Sequence, residues 1–365
     1  MKSIRALTVA SSLLCSIIAF GQDLAPPLPP APPSPQPPSL SAPDDPGWNA
    51  LIATCRNPPP PRGGGPGRGG ARGGQAPGPR EYTVSAIPGV IAGAQRWKFL
   101  WQEGGNNGDG IVGTDDGGLL IAQNDNSRVI KLDANGRPSV VYSNTRTGGS
   151  LSINSKGVVF IVQRALRTAI AQLAPRSAVL ADTYQGDPLD CAGLNPNDLT
   201  ADSRGGVYFT QGGVYYASPN GVVTKYGQNI TPNGIILSRD EKVLYVTNGA
   251  TLAAFDAAAD GALTNQREFA KLEGGGNGDG STIDAAGRVY VTTNPGVQVI
   301  SAEGKYLGII PTPRGVISVA FGGAGKRMLF VLARGAKDAA GNEIANAAQV
   351  YAIQTVAAGY RGRAK

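Results

Sequence analysis

Five segments of the 365-residue chain align with one another, and the residue types at one shared position limit the chemistry open to it. The segments 108–123, 148–163, 196–211, 232–247 and 278–293 each read as a short apolar run, a polar turn and a second apolar run. At the position that opens the first run they carry Asp109, Gly149, Asn197, Asn233 and Asp279. Two carboxylates and two carboxamides make an oxygen-only donor set. That set suits a hard divalent cation, Ca2+ first, with Mg2+, Mn2+ or Zn2+ as alternatives. A bound cation would also offset the repulsion between Asp109 and Asp279. The competing reading is that Asp and Asn merely open turns, as they do throughout β proteins. Their presence in four of five copies, followed by Gly in three, favours a shared site. The chain contains no histidine, which excludes a Ser-His-Asp or Cys-His arrangement, a histidine zinc site and a histidine general base. Hydrolysis, if this chain performs it, rests on carboxylate and metal.

To bring the four oxygen-bearing residues together, the elements carrying them must be arranged around one axis. The copies recur about every forty residues, the length of one four-stranded propeller blade, and a looser sixth copy spans 315–333. Turn signals such as Asn135-Gly136, Pro219-Asn220-Gly221 and Asp260-Gly261 separate runs rich in Val, Ile, Leu, Tyr and Thr, and no capped helical periodicity competes. The fold class is therefore all-β, a six-bladed β-propeller. A strand over Ala348–Thr355 paired with one near Tyr82–Ile91 would close the ring and remove its exposed edge. In a propeller the innermost strand of each blade lines the central channel, so residues opening those strands meet at one mouth. The segments Glu103–Gly110 and Glu273–Gly280 differ at one place in eight and bring glycine-rich backbone to that mouth. Neither precedes a helix, as a phosphate loop requires.

The flanks read differently. Residues 1–21 have the parts of a secretory signal: Lys2 and Arg5, an apolar run from Ala6 to Phe20, and small Ala19 and Gly21 before the expected cleavage. Residues 22–80 are a linker dominated by Pro, Gly and Arg, read as disordered apart from a short apolar island over Trp48–Cys55. The propeller is assigned to 81–356 and a basic tail to 357–365. Formal charge is +7, but 23 basic and 23 acidic residues lie within 81–355, so the excess sits on the flanks. A neutral domain offers no basic face to nucleic acid, and no mature segment is apolar for long enough to span a membrane. The expected location is periplasmic or secreted, with association to an anionic cell surface open to the linker. Cys55 and Cys191 remain after signal removal, and the sequence leaves open whether they bridge or stay as thiols. Trp97 and Trp101 read as rim packing.

Pro196-Asn197-Asp198-Leu199 with Val207-Tyr208-Phe209-Thr210, Thr231-Pro232-Asn233-Gly234-Ile235, Leu244-Tyr245-Val246-Thr247, Asp279-Gly280 with Asp284–Val291, and Phe321-Gly322-Gly323 follow one another in this order. In order and spacing they resemble the motifs of the SMP-30/gluconolactonase family. The resemblance covers roughly 108–333 and is clearest from Asn195 onward. It implies a six-bladed propeller with one divalent metal at the axis and an enzyme that hydrolyses a sugar-type lactone. By resemblance Asp109, Asn233 and Asp279 match the metal ligands, Asn197 the substrate-contacting asparagine, and Asp279 the acid that handles the proton of the attacking water. Asn195 stands where some family lactonases carry an arginine toward substrate, and Asp109 where a glutamate is usual. Two alternatives stay open: a non-catalytic propeller that binds a sugar or cell-wall ligand, and a related esterase-type propeller acting on less polar substrates.

Overall fold

Each copy of the repeat supplies the two inner strands of a four-stranded antiparallel blade, and in three blades the turn joining them shows why. Asn154, Asp202 and Asp284 close the inner strands of their blades, and each side-chain oxygen accepts the backbone N–H groups two and four residues on, at 2.8–3.1 Å. A glycine in the left-handed region follows in each turn, Gly157, Gly205 and Gly287, a conformation costly for any other residue. The computed structural model describes residues 40–59, 79–105, 108–193 and 196–365. The expected signal over 1–21 and most of the linker lie outside the described residues.

Six four-stranded sheets form the blades. Their inner strands are Ile111–Gly113, Leu151–Ile153, Leu199–Ala201, Pro232–Leu237, Ser281–Ile283 and Val316–Gly322, in blades 1 to 6. These strands adjoin one another in sequence order around the axis, and the sixth returns to the first. Blade 6 closes the ring, with Met328–Lys337 and Glu343–Gln354 following its inner strand and Lys98–Glu103 as its outer edge. Closure by an N-terminal strand was expected, but not this one. Pro88 and Gly89 interrupt 82–91, which forms a turn joined by the isolated Ile87–Ile91 bridge. Val84, Ile87, Val90 and Ile91 pack instead against Val297, Val299, Ile310 and Val316 between blades 5 and 6. Trp97 and Trp101 are core rather than rim, 7% and 8% exposed. Among the described residues no helix is long and apolar enough to cross a membrane.

Two stretches assigned to the flanks, one in the linker and one in the basic tail, pack against the propeller. In the linker, Ala42–Asp44 and Trp48–Ile52 form short helices with Ala42, Trp48 and Leu51 buried. The Ala42 N–H donates to the Arg164 carbonyl at 2.7 Å, and Arg56 N–H to Asp187 at 3.1 Å. Cys55 and Cys191 form a disulfide, Cα to Cα 5.7 Å, across a sequence separation of 136. Composition misled here because a few anchoring residues outweigh the prolines around them. Replacing Cys191 by Ser is expected to lower stability by about 2–4 kcal/mol and to open 40–59 to protease. An unchanged denaturation midpoint, with and without reductant, would show that the bridge stabilises nothing. At the other end two of the three basic residues of the tail are buried, Arg363 5% and Lys365 7% exposed, while Arg361 stays exposed. The tail is drawn inward by Glu241, which pairs with Arg363, and Asp198, which pairs with Lys365.

Candidate functional site

The aligned position is held in the same way in four blades. The backbone N–H of Asp109, Gly149, Asn197 and Asp279 donates to the carbonyl of Ala122, Val162, Thr210 and Thr292, respectively, at 2.7–3.2 Å, with the same offset along the chain in every case. Asn233 is fixed from both sides: its carbonyl accepts from Thr210 Oγ1 at 2.7 Å, and the next residue, Gly234, donates to Thr247 Oγ1 at 2.7 Å. Asp109, Asn197, Asn233 and Asp279 consequently line one cleft at the mouth of the axis, with about 250 Å3 of free space including open solvent. All four described candidates are thus brought together. Asn195 lies outside the described residues.

The glycines after three of these residues serve close approach rather than turning. A Cβ on Gly110 would stand 2.7 Å from Ser150 Cα of blade 2, and one on Gly280 2.7 Å from the Ile317 carbonyl oxygen of blade 6. One on Gly234 would lie 2.0 Å from the Asp279 carbonyl oxygen of blade 5. These contacts let neighbouring inner strands approach closely enough for side chains from several blades to reach one cleft.

Two residues of the site were not foreseen. The first is Arg164, which explains why blade 2 carries Gly149 where its neighbours carry an oxygen ligand. A Cβ there would be 2.2 Å from the Arg164 guanidinium carbon. That guanidinium donates to Asp109 Oδ2 at 2.5 Å, Asn124 Oδ1 at 3.2 Å, the Pro196 carbonyl at 2.8 Å and the Asn197 carbonyl at 2.6 Å. A signal was present: Arg164 aligns with Asn124, Asn248 and Asn294 of other copies, in the one copy lacking an oxygen ligand. The second is Asp198, where three other copies have Gly. Its carboxylate accepts from Ser150 Oγ at 2.5 Å, Leu199 N–H at 3.0 Å and Ile235 N–H at 2.9 Å, linking blades 2, 3 and 4. Arg334 stands 3.7 Å from Asp279 Oδ2 at the solvent side.

The donor set fits a hard divalent cation by its chemistry: the carboxylates Asp109 and Asp279 and the amides Asn233 and Asn197 line one cleft, where Asn197 Nδ2 donates to Asn233 Oδ1 and Asn197 Oδ1 accepts from Arg164. Among the described residues no group of three His, Cys, Asp or Glu side chains forms a metal cluster, so amide oxygens would have to complete the set.

Fold and cleft together define a class: closed six-bladed propellers with an oxygen-lined axial mouth and no histidine chemistry. A sequence profile described as the SMP-30/Gluconolactonase/LRE-like region matches residues 139–334, more than half the chain, and the protein belongs to that family. A gluconolactonase of Zymomonas mobilis is 27% identical over 193 residues, 44% of this chain and 53% of that protein. The chain thus spans about half the length of the curated relatives it matches. Among solved structures, a gluconolactonase from Xanthomonas campestris superposes with TM-score 0.60 at 21% identity, covering 78% of this chain and 98% of its own. A calcium-binding regucalcin from Agrobacterium tumefaciens superposes with TM-score 0.57 at 19% identity, covering 73% and 98%. These likenesses show the propeller fold.

Proposed function

We propose that this protein is an exported, metal-dependent lactonase that opens a sugar-type lactone. The observation that carries the reading is the meeting of Asp109, Asn197, Asn233 and Asp279, from four blades, in one cleft of a chain without histidine. The names of its relatives, gluconolactonase and lactonase drp35, support the same reaction class. The Cys55–Cys191 disulfide suits an oxidising compartment and supports the periplasmic or secreted location expected from residues 1–21.

Asp109, Asn233 and Asp279 would hold the divalent cation, which supplies Lewis-acid polarisation of the lactone carbonyl when bound. Asn197 offers its amide to substrate hydroxyls beside that carbonyl. Asp279 accepts the proton of the attacking water as the water oxygen bonds to the carbonyl carbon. The ring C–O bond then breaks, and the departing alkoxide takes the proton back, giving the open hydroxy acid. Arg164 keeps Asp109 and the Asn197 backbone in register through the hydrogen bonds described above.

Turnover of a panel of aldonolactones, corrected for spontaneous opening and run with and without chelator, tests the proposal. Hydrolysis lost with chelator and restored by Ca2+ is the expected result. Binding without turnover would instead make the protein a carbohydrate-binding propeller, and preference for aryl esters would make it an esterase.

A further inference from the structure

Residues 357–365 leave blade 6 and pass up the central channel from the end opposite the cleft. Gly359 bridges Asp284, and Tyr360 N–H donates to Ile283, at the far end of the blade 5 inner strand. Arg363 Nη2 donates to the Leu237 carbonyl at 2.6 Å, at the far end of the blade 4 inner strand, and Ala364 bridges Ile153 of blade 2. Lys365 lies beneath the cleft. Thr282 Oγ1 donates to the Lys365 carbonyl at 2.6 Å, Lys365 Nζ donates to the Ile235 carbonyl at 3.2 Å, and the ammonium pairs with Asp198.

This ammonium is the best-enclosed charge at the site. Its side chain is 3% exposed, against 13% for Arg164 and 43% for Arg334. Burial pushes the Lys365 ammonium below its ordinary pKa, and attraction from Asp198, then from Asp109 and Asp279, opposes that push. The same ammonium is therefore within electrostatic reach of all three carboxylates of the cleft. Asp198 has other anchors besides the ammonium: one hydroxyl and two backbone N–H groups donate to it.

We propose that Lys365 is a built-in cation at the channel floor, a positioning residue that occupies Asp198 and thereby keeps that carboxylate from adding to the cation affinity of the cleft. The proposal rests on the reading of the mouth as a divalent-cation site. With Lys365 in place, the mouth offers Asp109 and Asp279 to one ion. Without it, a third anion close beneath strengthens the hold, because charges in a poorly solvated channel are weakly screened.

The test is calorimetric titration of the chelator-treated full chain with Ca2+ alone, which needs no turnover. Lys365→Met and Lys365→Gln are each expected to bind Ca2+ about ten-fold tighter than the parent, or to take up a second equivalent. The double variant Lys365→Met/Asp198→Asn should return to within about two-fold of the parent. Glutamine can retain a bond to the Ile235 carbonyl, so the second single variant guards against loss of fold in the first. Parent-like or weaker binding in both single variants would overturn the inference and leave the cation site standing. Absence of Ca2+ binding in the parent and every variant would overturn both.

Discussion

Asp279→Ala is expected to lower kcat/KM for an aldonolactone by roughly 10³-fold or more, since a positioned general base alone contributes about 10² to 10⁴, and to weaken Ca2+ binding in the same protein. Both losses follow from where the carboxylate sits. Its backbone N–H is held by the Thr292 carbonyl at 2.9 Å, the next N–H by the Ile317 carbonyl at 2.9 Å, and its side chain shares the cleft with Asp109 and Asn233. One group would serve as ligand and base, so alanine removes two functions at one site. Asp279→Asn separates them: the amide retains an oxygen toward the cation but does not take a proton from water. Asparagine should therefore bind Ca2+ better than alanine while turning over no faster. An Asp279→Ala variant with parental activity would end the assignment of the base, and one with parental Ca2+ affinity would end its assignment as a ligand.

The parts of this molecule legible in its sequence are those that repeat. A blade has a fixed length, and the position opening its inner strand faces the axis in every copy, so five aligned residues sufficed to locate the mouth. Gly149 reads as a gap in that pattern until Arg164, a loop residue, is seen filling the space. Single features outside the repeat were harder to read. The closing strand Lys98–Glu103 has only three apolar residues and 82–91 has more, so the local signal against 82–91 is the Pro88-Gly89 pair, and the pairing with Glu343–Gln354 goes to Lys98–Glu103. The tail over 357–365 looks by composition like a solvated basic end, because nothing local says that Asp198 and Glu241 wait in the channel for Lys365 and Arg363. Proline content likewise concealed the docking of Trp48 and Leu51. Charge and composition report what a segment tolerates, and long-range partners determine where it goes.

The closeness of neighbouring inner strands leads to the second large expected effect, that of Gly234→Ala. The new methyl carbon would stand 2.0 Å from the Asp279 carbonyl oxygen, 2.9 Å from its carbon and 3.1 Å from Gly280 Cα. All three are backbone atoms, so no side chain can swing aside. The strand of blade 4 must move as a unit away from that of blade 5. That movement pulls on the Gly234 bond to Thr247 Oγ1 and the Ile235 bond to Asp198, and it parts Asn233 from Asp279. A cost of about 3 kcal/mol or more is expected, at the upper end for overpacking a tight interior, together with loss of turnover and Ca2+ binding. Gly157→Ala is the matched control: its φ is +77° and nothing lies within 4 Å of the added carbon. That change should cost only about 1–2 kcal/mol of backbone strain and leave the cleft untouched. Denaturant midpoints at constant m value measure both costs, and Ca2+ titration measures the cleft. If Gly234→Ala is no less stable than Gly157→Ala and binds Ca2+ like the parent, the inner strands are not held at van der Waals limit, and the convergence of ligands from separate blades needs another cause.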